Sequence, residues 1–338
     1  MEASTHHELF ISKDSMKPVV SITHIFPDPA LNRLRERFEV HYNDSGQSLS
    51  AGELQNRAAE SDAMITYLSD RIDSEVLGAA KNLKLVANYG AGFNNIDVAR
   101  AREKKIWVTN TPGVLHETTA DLTWALLLGI ARAIVPADRY TREGRFDGWQ
   151  AKLFLGHDVY GKTLGVIGCG EIGRAVARRA VGFNMNVLYC QRHRLPEAEE
   201  HRLNATYVPL EQLLKESDFV SLHVPLTEET RYMIRAEQIA MMKPTAYLIN
   251  TARGKVMDDR ALVEALRQGT IAGAALDVFE NEPELTEGMT ALDNILIPPH
   301  IGSASHATRD IMANLVADNV FDALDGRTPR TLVPGWQA

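Results

Sequence analysis

The sequence predicts an α/β protein of two Rossmann-like domains, one with a doubly wound parallel sheet and one with a flavodoxin-like sheet. Short β-branched runs alternate with amphipathic stretches from Val19 to Ile297, which is the pattern of parallel strands covered by helices. The chain has 338 residues, more than one hydrophobic core normally organises, and its 45% hydrophobic content supplies two cores. A glycine-rich turn at 168–173 separates a strand-like run from an amphipathic run, as at the start of a doubly wound sheet.

The first series of elements predicts the first domain. Asp28-Pro29 opens a helix that runs to Arg37, and a second helix begins near Ser50. A long apolar helix at 116–135 ends the series, and the turn-rich stretch at 144–156 indicates a junction between domains. The strands of this domain are predicted at 19–23, 63–66, 85–88 and 107–109.

The second series predicts a complete doubly wound sheet of six strands. One more helix, at roughly 305–324, has no strand after it in its own domain, which suggests that the chain returns to pack on the first domain. The six strands are expected at 164–168, 186–190, 219–223, 246–250, 272–276 and 295–297. The predicted organisation is a flexible tail at 1–16, a substrate-binding domain at 17–112 plus 303–338, and a dinucleotide-binding domain at 113–302.

Composition and charge favour a small-molecule ligand. Forty-four acidic and thirty-six basic side chains give a net charge of −8 without basic runs, which argues against nucleic acid or an anionic membrane as the partner. The longest apolar run, at 122–135, contains an arginine and is shorter than the roughly twenty residues that span a bilayer. Cys169 and Cys190 are too few for a disulfide framework, so the cytoplasm is the expected location. The pair His6-His7 lacks a third ligand at a suitable spacing, so no metal is expected.

The glycine-rich turn has the spacing of a dinucleotide site, Gly168-x-Gly170-x-x-Gly173, with Glu171 and Ile172 before the last glycine. The first glycine permits the tight turn, the second lets the backbone approach a pyrophosphate, and the third allows close packing of the helix. The amide groups and the dipole at the start of that helix favour the anion. These residues are therefore predicted cofactor contacts, and a strand-turn-helix without a ligand is the alternative.

The residues after the second strand of this domain favour a phosphorylated cofactor. A site for the unphosphorylated ribose usually has Asp or Glu about twenty residues after the glycines, where it accepts from the 2′-hydroxyl. This chain has Gln191 there, followed by Arg192, His193 and Arg194, so two guanidinium groups are available to bind a 2′-phosphate. NADPH is therefore expected to be preferred and NADH to be possible. If the arginines only form a solvated loop, the catalytic efficiency should be equal with both cofactors.

Three polar residues near the ends of later strands match the needs of a 2-keto acid reduction. That reaction needs a fixed cation for the carboxylate, a proton source for the carbonyl oxygen and a carboxylate that holds the proton source. Arg253 offers a fork of donors, His300 is the acid in reduction and the base in oxidation, and Glu282 would fix the imidazole. The alternatives are a surface arginine in a turn, a hydrogen-bonded core histidine, and a solvated loop that also contains Glu280 and Glu284.

The first domain is expected to contribute to substrate binding. The segment from Tyr89 to Phe93 has consecutive backbone amides in a glycine turn after a strand, a nest of the kind that holds a carboxylate. Ala91 and Gly92 are the predicted contacts. Leu68 is predicted to cap the methyl or hydroxymethyl end of the substrate, and an ordinary core position is its alternative.

Several segments resemble the signatures of the D-isomer-specific 2-hydroxyacid dehydrogenases, and the resemblance covers nearly the whole chain from Lys17. Within that family, the segments at 87–92, 154–163, 182–186 and 191–194 are most similar to glyoxylate and hydroxypyruvate reductases. The chain departs from those enzymes at Gln191 and at Ala91, where a larger residue is common, so the substrate pocket gains room. The family signatures are Asn250-Thr-Ala-Arg253-Gly, Leu276-Asp277-Val-Phe-Glu-Asn-Glu282-Pro, Pro299-His300-Ile-Gly-Ser303 and His223-Val-Pro-Leu-Thr.

The resemblance also implies further contacts and an assembly. The family's Glu-x-Glu-Pro pattern selects Glu282 over its acidic neighbours. A homodimer of the cofactor domains is implied, using the stretches 124–128 and 149–155, with burial of the second stretch inside one subunit as the alternative. The remaining implied cofactor contacts are Thr119 at the nicotinamide or phosphates, Thr251, Ala252 and Asp277 at the nicotinamide, and Val224 and Pro225 near the adenosine.

These observations together predict an NADPH-preferring reductase of glyoxylate, hydroxypyruvate or a similar small 2-keto acid. The resemblance implies the D-hydroxy acid where the product is chiral. A cofactor-sensing protein, similar to the corepressors that share this fold, is the alternative from another class, and the acidic charge balance argues against it. A phosphoglycerate-type dehydrogenase is the alternative among enzymes, although no added basic cluster lies by the substrate loop.

Overall fold

The structure, a computed structural model, describes residues 17–336, so the tail predicted at 1–16 lies outside the described residues. The chain forms two compact units. One contains the residues up to Asn110 and those from Ala313 onward, and the other is Thr111–Met312. The predicted boundaries follow residues 112 and 302, two residues after the first division and ten residues before the second, and the ligand assigned to each domain stays a prediction.

The first unit is built on a five-stranded parallel sheet, which has the predicted flavodoxin-like class but one strand more than the four predicted. The missed strand, Glu39–Tyr42, has no buried residue, so it lacks the apolar run that marks the others. The strands of the first unit are β1 (Val19–Ile22), β2 (Glu39–Tyr42), β3 (Ala63–Thr66), β4 (Leu85–Asn88) and β5 (Trp107–Thr109). They lie in the order β2-β1-β3-β4-β5, which is the flavodoxin-like order. Every residue of β3 and β4 is buried, so these two strands form the centre of the unit.

The helices of the first unit follow the strands and cover the sheet. Ser50 begins the second helix with a capping box, since its hydroxyl accepts from the Glu53 N–H while the Glu53 carboxylate accepts from the Ser50 N–H. This pairing explains why the helix starts where the sequence predicts it. The four helices are α1 (Asp28–Arg37), α2 (Ala51–Glu60), α3 (Ser74–Ala79) and α4 (Val98–Glu103).

The long apolar helix predicted at 116–135 is divided in the structure. Helix α5 (His116–Ala131) and helix α6 (Ile134–Arg142) are separated at Ala133, whose φ is 49°. Trp124 of α5 is buried, stacks on Phe183 at 4.7 Å and donates to the Val176 carbonyl oxygen, so this side chain packs within its own unit, and the use of 124–128 in a homodimer stays a prediction. Among the described residues no single helix has the length and apolar composition to cross a membrane, whereas α5 and α6, bent by 65°, meet these two criteria as a pair.

The second unit contains a seven-stranded parallel sheet, one strand more than predicted. Its strands are β6 (Thr163–Ile167), β7 (Asn186–Cys190), β8 (Ala205–Tyr207), β9 (Phe219–Leu222), β10 (Tyr247–Asn250), β11 (Gly273–Leu276) and β12 (Ile295–Leu296). The order is β12-β11-β10-β9-β6-β7-β8, so the sheet is doubly wound about β6. The missed strand, β8, lies at the edge and has only Ala205 buried, so it lacks the apolar run that marks the others.

Helices connect the strands of the second unit, and the last helix of the chain follows them. That helix, predicted at roughly 305–324, is α12 (His306–Leu324). Its later residues belong to the first unit, where Asp318 pairs with Arg33 of α1 at 2.6 Å. The connecting helices are α7 (Glu171–Ala180), α8 (Glu197–Leu203), α9 (Leu210–Glu216), α10 (Ala236–Ala240) and α11 (Asp259–Gln268).

Candidate active site

The carboxyl edge of the second sheet carries the predicted catalytic residues. Because all its strands are parallel, the segments that follow them leave the sheet on the same side. Arg253 follows β10, the segment with Glu282 follows β11, and His300 follows β12. These three strands are neighbours in the sheet, which brings residues distant in sequence to one edge.

His300 and Glu282 form a hydrogen-bonded pair, with Nδ1 of His300 2.7 Å from Oε2 of Glu282. The other carboxylate oxygen, Oε1, accepts from the N–H of Phe279 at 2.9 Å. Burial acts to raise the pKa of Glu282, but His300, the Phe279 N–H and the charge of Arg253 outweigh it, so this pKa is lower than usual. The ionised carboxylate thus orients the ring and leaves Nε2 as the nitrogen that can exchange a proton with a ligand.

The turn that carries His300 has a strained backbone and is held by hydrogen bonds to the Asp277 carboxylate. The backbone of His300 has a φ of 53°, a left-handed conformation that is uncommon for non-glycine residues and recurs at functional positions. Oδ1 of the buried Asp277 accepts from the Ile301 N–H at 2.7 Å, and the same carboxylate accepts from the Gly302 N–H. Burial raises the pKa of Asp277, while these amides and the charge of His300 oppose the rise. Asp277, predicted as a nicotinamide contact, therefore fixes the turn after His300, and its contact with the cofactor stays a prediction.

Arg253 presents a cation beside this pair. Its Nη1 donates to the carbonyl oxygen of Ala252 at 2.6 Å, and within residues 17–336 it forms no ion pair with a carboxylate. Burial lowers the pKa of Arg253 and the charge of Glu282 opposes that effect, so the guanidinium remains charged. The donors that do not reach Ala252 are suited to bind the carboxylate of a ligand.

Asn250 opens one of the family signatures, but no role was predicted for it from the sequence. It is fully buried at the end of β10, where its Nδ2 donates to the Arg253 carbonyl oxygen at 3.1 Å and its Oδ1 accepts from the Ala252 N–H at 3.0 Å. Asn250 therefore closes the turn that presents Arg253. The available signal was an amide side chain at the end of an otherwise apolar strand.

The glycine-rich turn between β6 and α7 has the geometry of a phosphate-binding turn. Gly168 has a φ of 90°, and a Cβ there would lie 2.8 Å from the backbone of His223. A Cβ on Gly173 would lie 2.1 Å from the Gly168 carbonyl oxygen, so the helix packs tightly on the turn. No atom lies within 4 Å of the Cβ position of Gly170, where the helix begins. The open backbone at a helix start fits a pyrophosphate group.

Comparison with known proteins places this arrangement in a family. Residues 124–302 match the family model described as the NAD-binding domain of D-isomer specific 2-hydroxyacid dehydrogenases. The chain belongs to this family. It is similar to a glyoxylate reductase of Thermococcus onnurineus, with 50% identity over 322 residues that cover 94% of this chain and 96% of that protein. The glyoxylate reductase of Pyrococcus furiosus has the same identity and coverage.

Solved structures with similar sequences have the same fold. The TT0316 protein of Thermus thermophilus superposes with a TM-score of 0.86 at 45% identity, covering 93% of this chain and 99% of that one. An NADPH-dependent glyoxylate/hydroxypyruvate reductase of Sinorhizobium meliloti, in complex with NADP and malonate, gives a TM-score of 0.81 at 33% identity, with 94% and 97% covered. The predicted family and fold class are therefore confirmed, and the chain is an oxidoreductase with a nicotinamide cofactor.

The loop after β7 of this D-2-hydroxyacid dehydrogenase differs from its prediction in one respect. Gln191 lies beside the glycine turn, since its Oε1 accepts from the Cys169 N–H at 3.0 Å. Arg194 is not free, because its Nε and Nη2 both donate to the Glu200 carboxylate at 2.8 Å. Arg194 and the Tyr189 hydroxyl lower the pKa of the buried Glu200 to about 2. Arg192 is exposed and forms no hydrogen bond or ion pair with the described part of the chain, so it is the freer of the two guanidinium groups.

The other predicted contacts lie at element ends in both units. In the second unit, Thr251 is buried just after β10, and its hydroxyl lies 3.0 Å from that of Thr123 on α5. In the first unit, Asn110 donates to the Ala91 carbonyl oxygen at 2.6 Å and Asn88 to that of Gly92 at 2.7 Å, which fixes the predicted amide nest. A Cβ on Gly90 would lie 2.9 Å from the side chain of Leu68. Residues 17–336 contain no group of three or more His, Cys, Asp or Glu side chains placed to hold a metal ion.

Proposed function

We propose that this protein reduces a small 2-keto acid, glyoxylate or hydroxypyruvate, with NADPH as the preferred cofactor. The observation that carries the proposal is the 2.7 Å hydrogen bond between His300 and Glu282 beside an Arg253 that has no carboxylate partner among the described residues. Similarity to glyoxylate reductases over 94% of the chain supports this choice of substrate. The product would be the D-2-hydroxy acid where it is chiral.

Each residue of the trio has one task in the proposed reaction. When bound, the cofactor supplies the hydride that forms the new C–H bond at the carbonyl carbon. Arg253 binds the substrate carboxylate through two parallel N–H donors and so fixes the plane of the keto acid. His300 transfers the proton on Nε2 to the carbonyl oxygen as negative charge develops there, and Glu282 stabilises the charged ring before the transfer. In the reverse direction His300 accepts the proton of the hydroxyl group.

Steady-state kinetics with several keto acids and both cofactors test the proposal. We expect the highest kcat/KM for glyoxylate or hydroxypyruvate with NADPH, and lower values for pyruvate and bulkier keto acids. Absence of turnover with every keto acid, together with measurable NADPH binding, would contradict the proposal and favour a cofactor-sensing protein. If the oxidation of phosphoglycerate is the most efficient reaction, the alternative of a phosphoglycerate-type dehydrogenase is favoured.

Cofactor preference is expected to depend on Arg192 more than on Arg194. Arg192→Ala should lower kcat/KM with NADPH about 10–100-fold and change it little with NADH, because a charge-assisted bond to the 2′-phosphate would be lost. Arg194→Ala should have a smaller effect on this ratio but lower the melting temperature, since it leaves the buried Glu200 without its bidentate partner. Initial rates with both cofactors and thermal unfolding of each variant are the measurements. Equal losses with NADPH and NADH in Arg192→Ala would contradict the assignment.

The remaining ligand contacts stay part of the proposal. The first unit is proposed to contribute the amide nest of Ala91 and Gly92 and the side chain of Leu68 to the substrate. The glycine turn and the loop after β7 are proposed to hold the pyrophosphate and the adenosine ribose. The proposed cofactor contacts are Thr119, Gly168, Gly170, Glu171, Ile172, Gly173, Gln191, Arg192, His193, Arg194, Val224, Pro225, Thr251, Ala252 and Asp277.

A homodimer of the second units is also proposed. Trp149 is 85% exposed and Leu155 is 74% exposed, so this stretch is not buried within its own chain. Large apolar side chains that are exposed along one stretch of chain are typical of an interface between proteins. Light scattering during size-exclusion chromatography should give twice the mass of one chain, and the mass of a single chain would contradict the dimer. A cytoplasmic location is proposed with it, since both cysteines are free thiols.

A further inference from the structure

Asp259, the first residue of α11, is a fully buried carboxylate that the proposed mechanism does not use. Its Oδ2 accepts from the Glu280 N–H at 3.0 Å and from the Thr286 hydroxyl at 3.5 Å. These two donors lie near the ends of the loop at 279–286, and Glu282 lies between them. Asp259 therefore ties both ends of the loop that carries the partner of His300 to the start of a helix.

Two consecutive peptides of this loop are held by carboxylates. The Phe279 N–H, which belongs to the Val278–Phe279 peptide, donates to Oε1 of Glu282, and the Glu280 N–H, which belongs to the Phe279–Glu280 peptide, donates to Asp259. The turn after Arg253 packs against the same peptide, since a Cβ on Gly254 would lie 1.9 Å from the Phe279 carbonyl group. The segments that carry Arg253 and Glu282 thus meet at one peptide group, and Asp259 is the side chain that fixes its orientation.

A role in helix stability does not account for Asp259. Asp258 already caps α11, since its carboxylate accepts from the Ala261 N–H at 3.0 Å. Oδ1 of Asp259 is buried and has no hydrogen-bond partner. Burial raises the pKa of Asp259 to about 6, and the carboxylates of Glu280 and Asp258 add to the rise. The hydrogen bonds from the Glu280 N–H and the Thr286 hydroxyl lower this pKa but do not offset the effect of burial.

This raised pKa fixes the sign of the effect on stability. The folded protein holds the proton of Asp259 more tightly than the unfolded chain does, so folding loses stability as pH rises from about 4 through about 6. The charged carboxylate is therefore a cost to the fold at neutral pH. The structural role that remains for the Asp259 carboxylate is to place the loop at 279–286.

We propose that Asp259 is a positioning residue of the hydride-transfer site, which holds the Phe279–Glu280 peptide so that Glu282 meets His300. The activity readout of this inference rests on the proposed function. The resonance of the His300 Nδ1–H in the hydrogen bond to Glu282 provides a second readout that needs neither substrate nor cofactor.

The experiment compares Asp259→Ala, which removes the acceptor of the Glu280 N–H, with Glu264→Gln, an exposed carboxylate of the same helix. We expect Asp259→Ala to lower kcat for glyoxylate about tenfold with NADPH affinity within about twofold of wild type, and Glu264→Gln to change neither value. Asp259→Asn keeps an acceptor oxygen for the Glu280 N–H, so it should retain most of the wild-type kcat, and its thermal stability above pH 6 should equal or exceed that of wild type. In a Glu282→Ala background, Asp259→Ala should have little further effect on kcat, because the hydrogen bond to His300 that it would disturb is already absent.

The measurements distinguish a failure of the positioning role of Asp259 from a failure of the proposed function. Wild-type kcat in Asp259→Ala, or a full additional loss in the Glu282→Ala background, would overturn the positioning role. If the wild-type protein reduces no keto acid, the proposed function fails and the magnetic resonance measurement decides the inference. The low-field Nδ1–H signal of His300 should then be weakened or shifted in Asp259→Ala and unchanged in Glu264→Gln, and an unchanged signal in both variants would overturn it.

Discussion

His300→Asn is expected to reduce kcat by about 10²–10⁴-fold with little change in NADPH affinity, the loss typical of removing a general acid. Asparagine is the informative replacement because His300 has a φ of 53°, a conformation that asparagine tolerates better than most residues. The amide cannot donate a proton to the developing alkoxide, and it cannot carry the charge that Glu282 stabilises. Single-turnover rates of NADPH oxidation with glyoxylate, and NADPH binding followed by fluorescence, measure the two quantities.

The matched control for this variant is His306→Asn. His306 is an exposed histidine at the start of α12, close to His300 in sequence. Its replacement should leave kcat unchanged. The kcat of Glu282→Gln should lie between those of His300→Asn and His306→Asn. This variant keeps the hydrogen bond to Nδ1 of His300 but loses the charge that favours the protonated ring. Wild-type turnover in His300→Asn would remove the acid–base assignment.

Arg253→Ala is expected to lower kcat/KM for the keto acid by about 10²–10³-fold, with a smaller change in the affinity for NADPH. Two charge-assisted hydrogen bonds to a carboxylate contribute about 3–4 kcal/mol together, which corresponds to a loss of this size. The loss should be present in KM and in kcat, because in the proposed reaction the guanidinium both binds the substrate and sets its orientation toward Nε2 of His300. Initial rates over a range of glyoxylate concentrations at saturating NADPH measure both.

Arg253→Lys separates the charge of the guanidinium from its shape. Lysine keeps a cation but lacks the planar fork, so it should recover only part of the activity. Arg260→Lys on α11, an exposed arginine seven positions later, is the control and should behave as wild type. Full activity of Arg253→Lys would mean that charge alone is needed, and full activity of Arg253→Ala would contradict substrate binding by this residue.

Much of the second unit follows from local patterns that the sequence displays directly. Strands β6, β9 and β10 are apolar runs, and turn residues follow each of them. Strand β8 escaped prediction because only one of its three residues is buried. The division of the long helix at Ala133 has no glycine to mark it, although Pro136 in the first turn of α6 is a common sign of a helix start.

The site was predictable where it depends on strand ends and not where it depends on side-chain contacts. Arg253 follows β10 and His300 follows β12, the two parallel strands on either side of β11, so their position at one edge of the sheet follows from topology. The pairing of Arg194 with Glu200 depends on the path of the intervening loop through Pro196, which no periodic pattern encodes. The burial of Asp259 is of the same kind, since its sequence context, Asp258-Asp259, is equally typical of an ordinary helix start.

The hydrogen bond between Gln191 and the Cys169 N–H limits how this enzyme could be redesigned for NADH. The usual strategy introduces an acidic residue at the end of the second strand, where it accepts from the ribose. A glutamate at position 191 would have the same reach as glutamine, and the Cys169 amide would compete with the 2′-hydroxyl for its oxygens. Re-engineering should therefore begin at Arg192. Aspartate should be introduced at position 191 only after the Cys169 N–H has gained another acceptor.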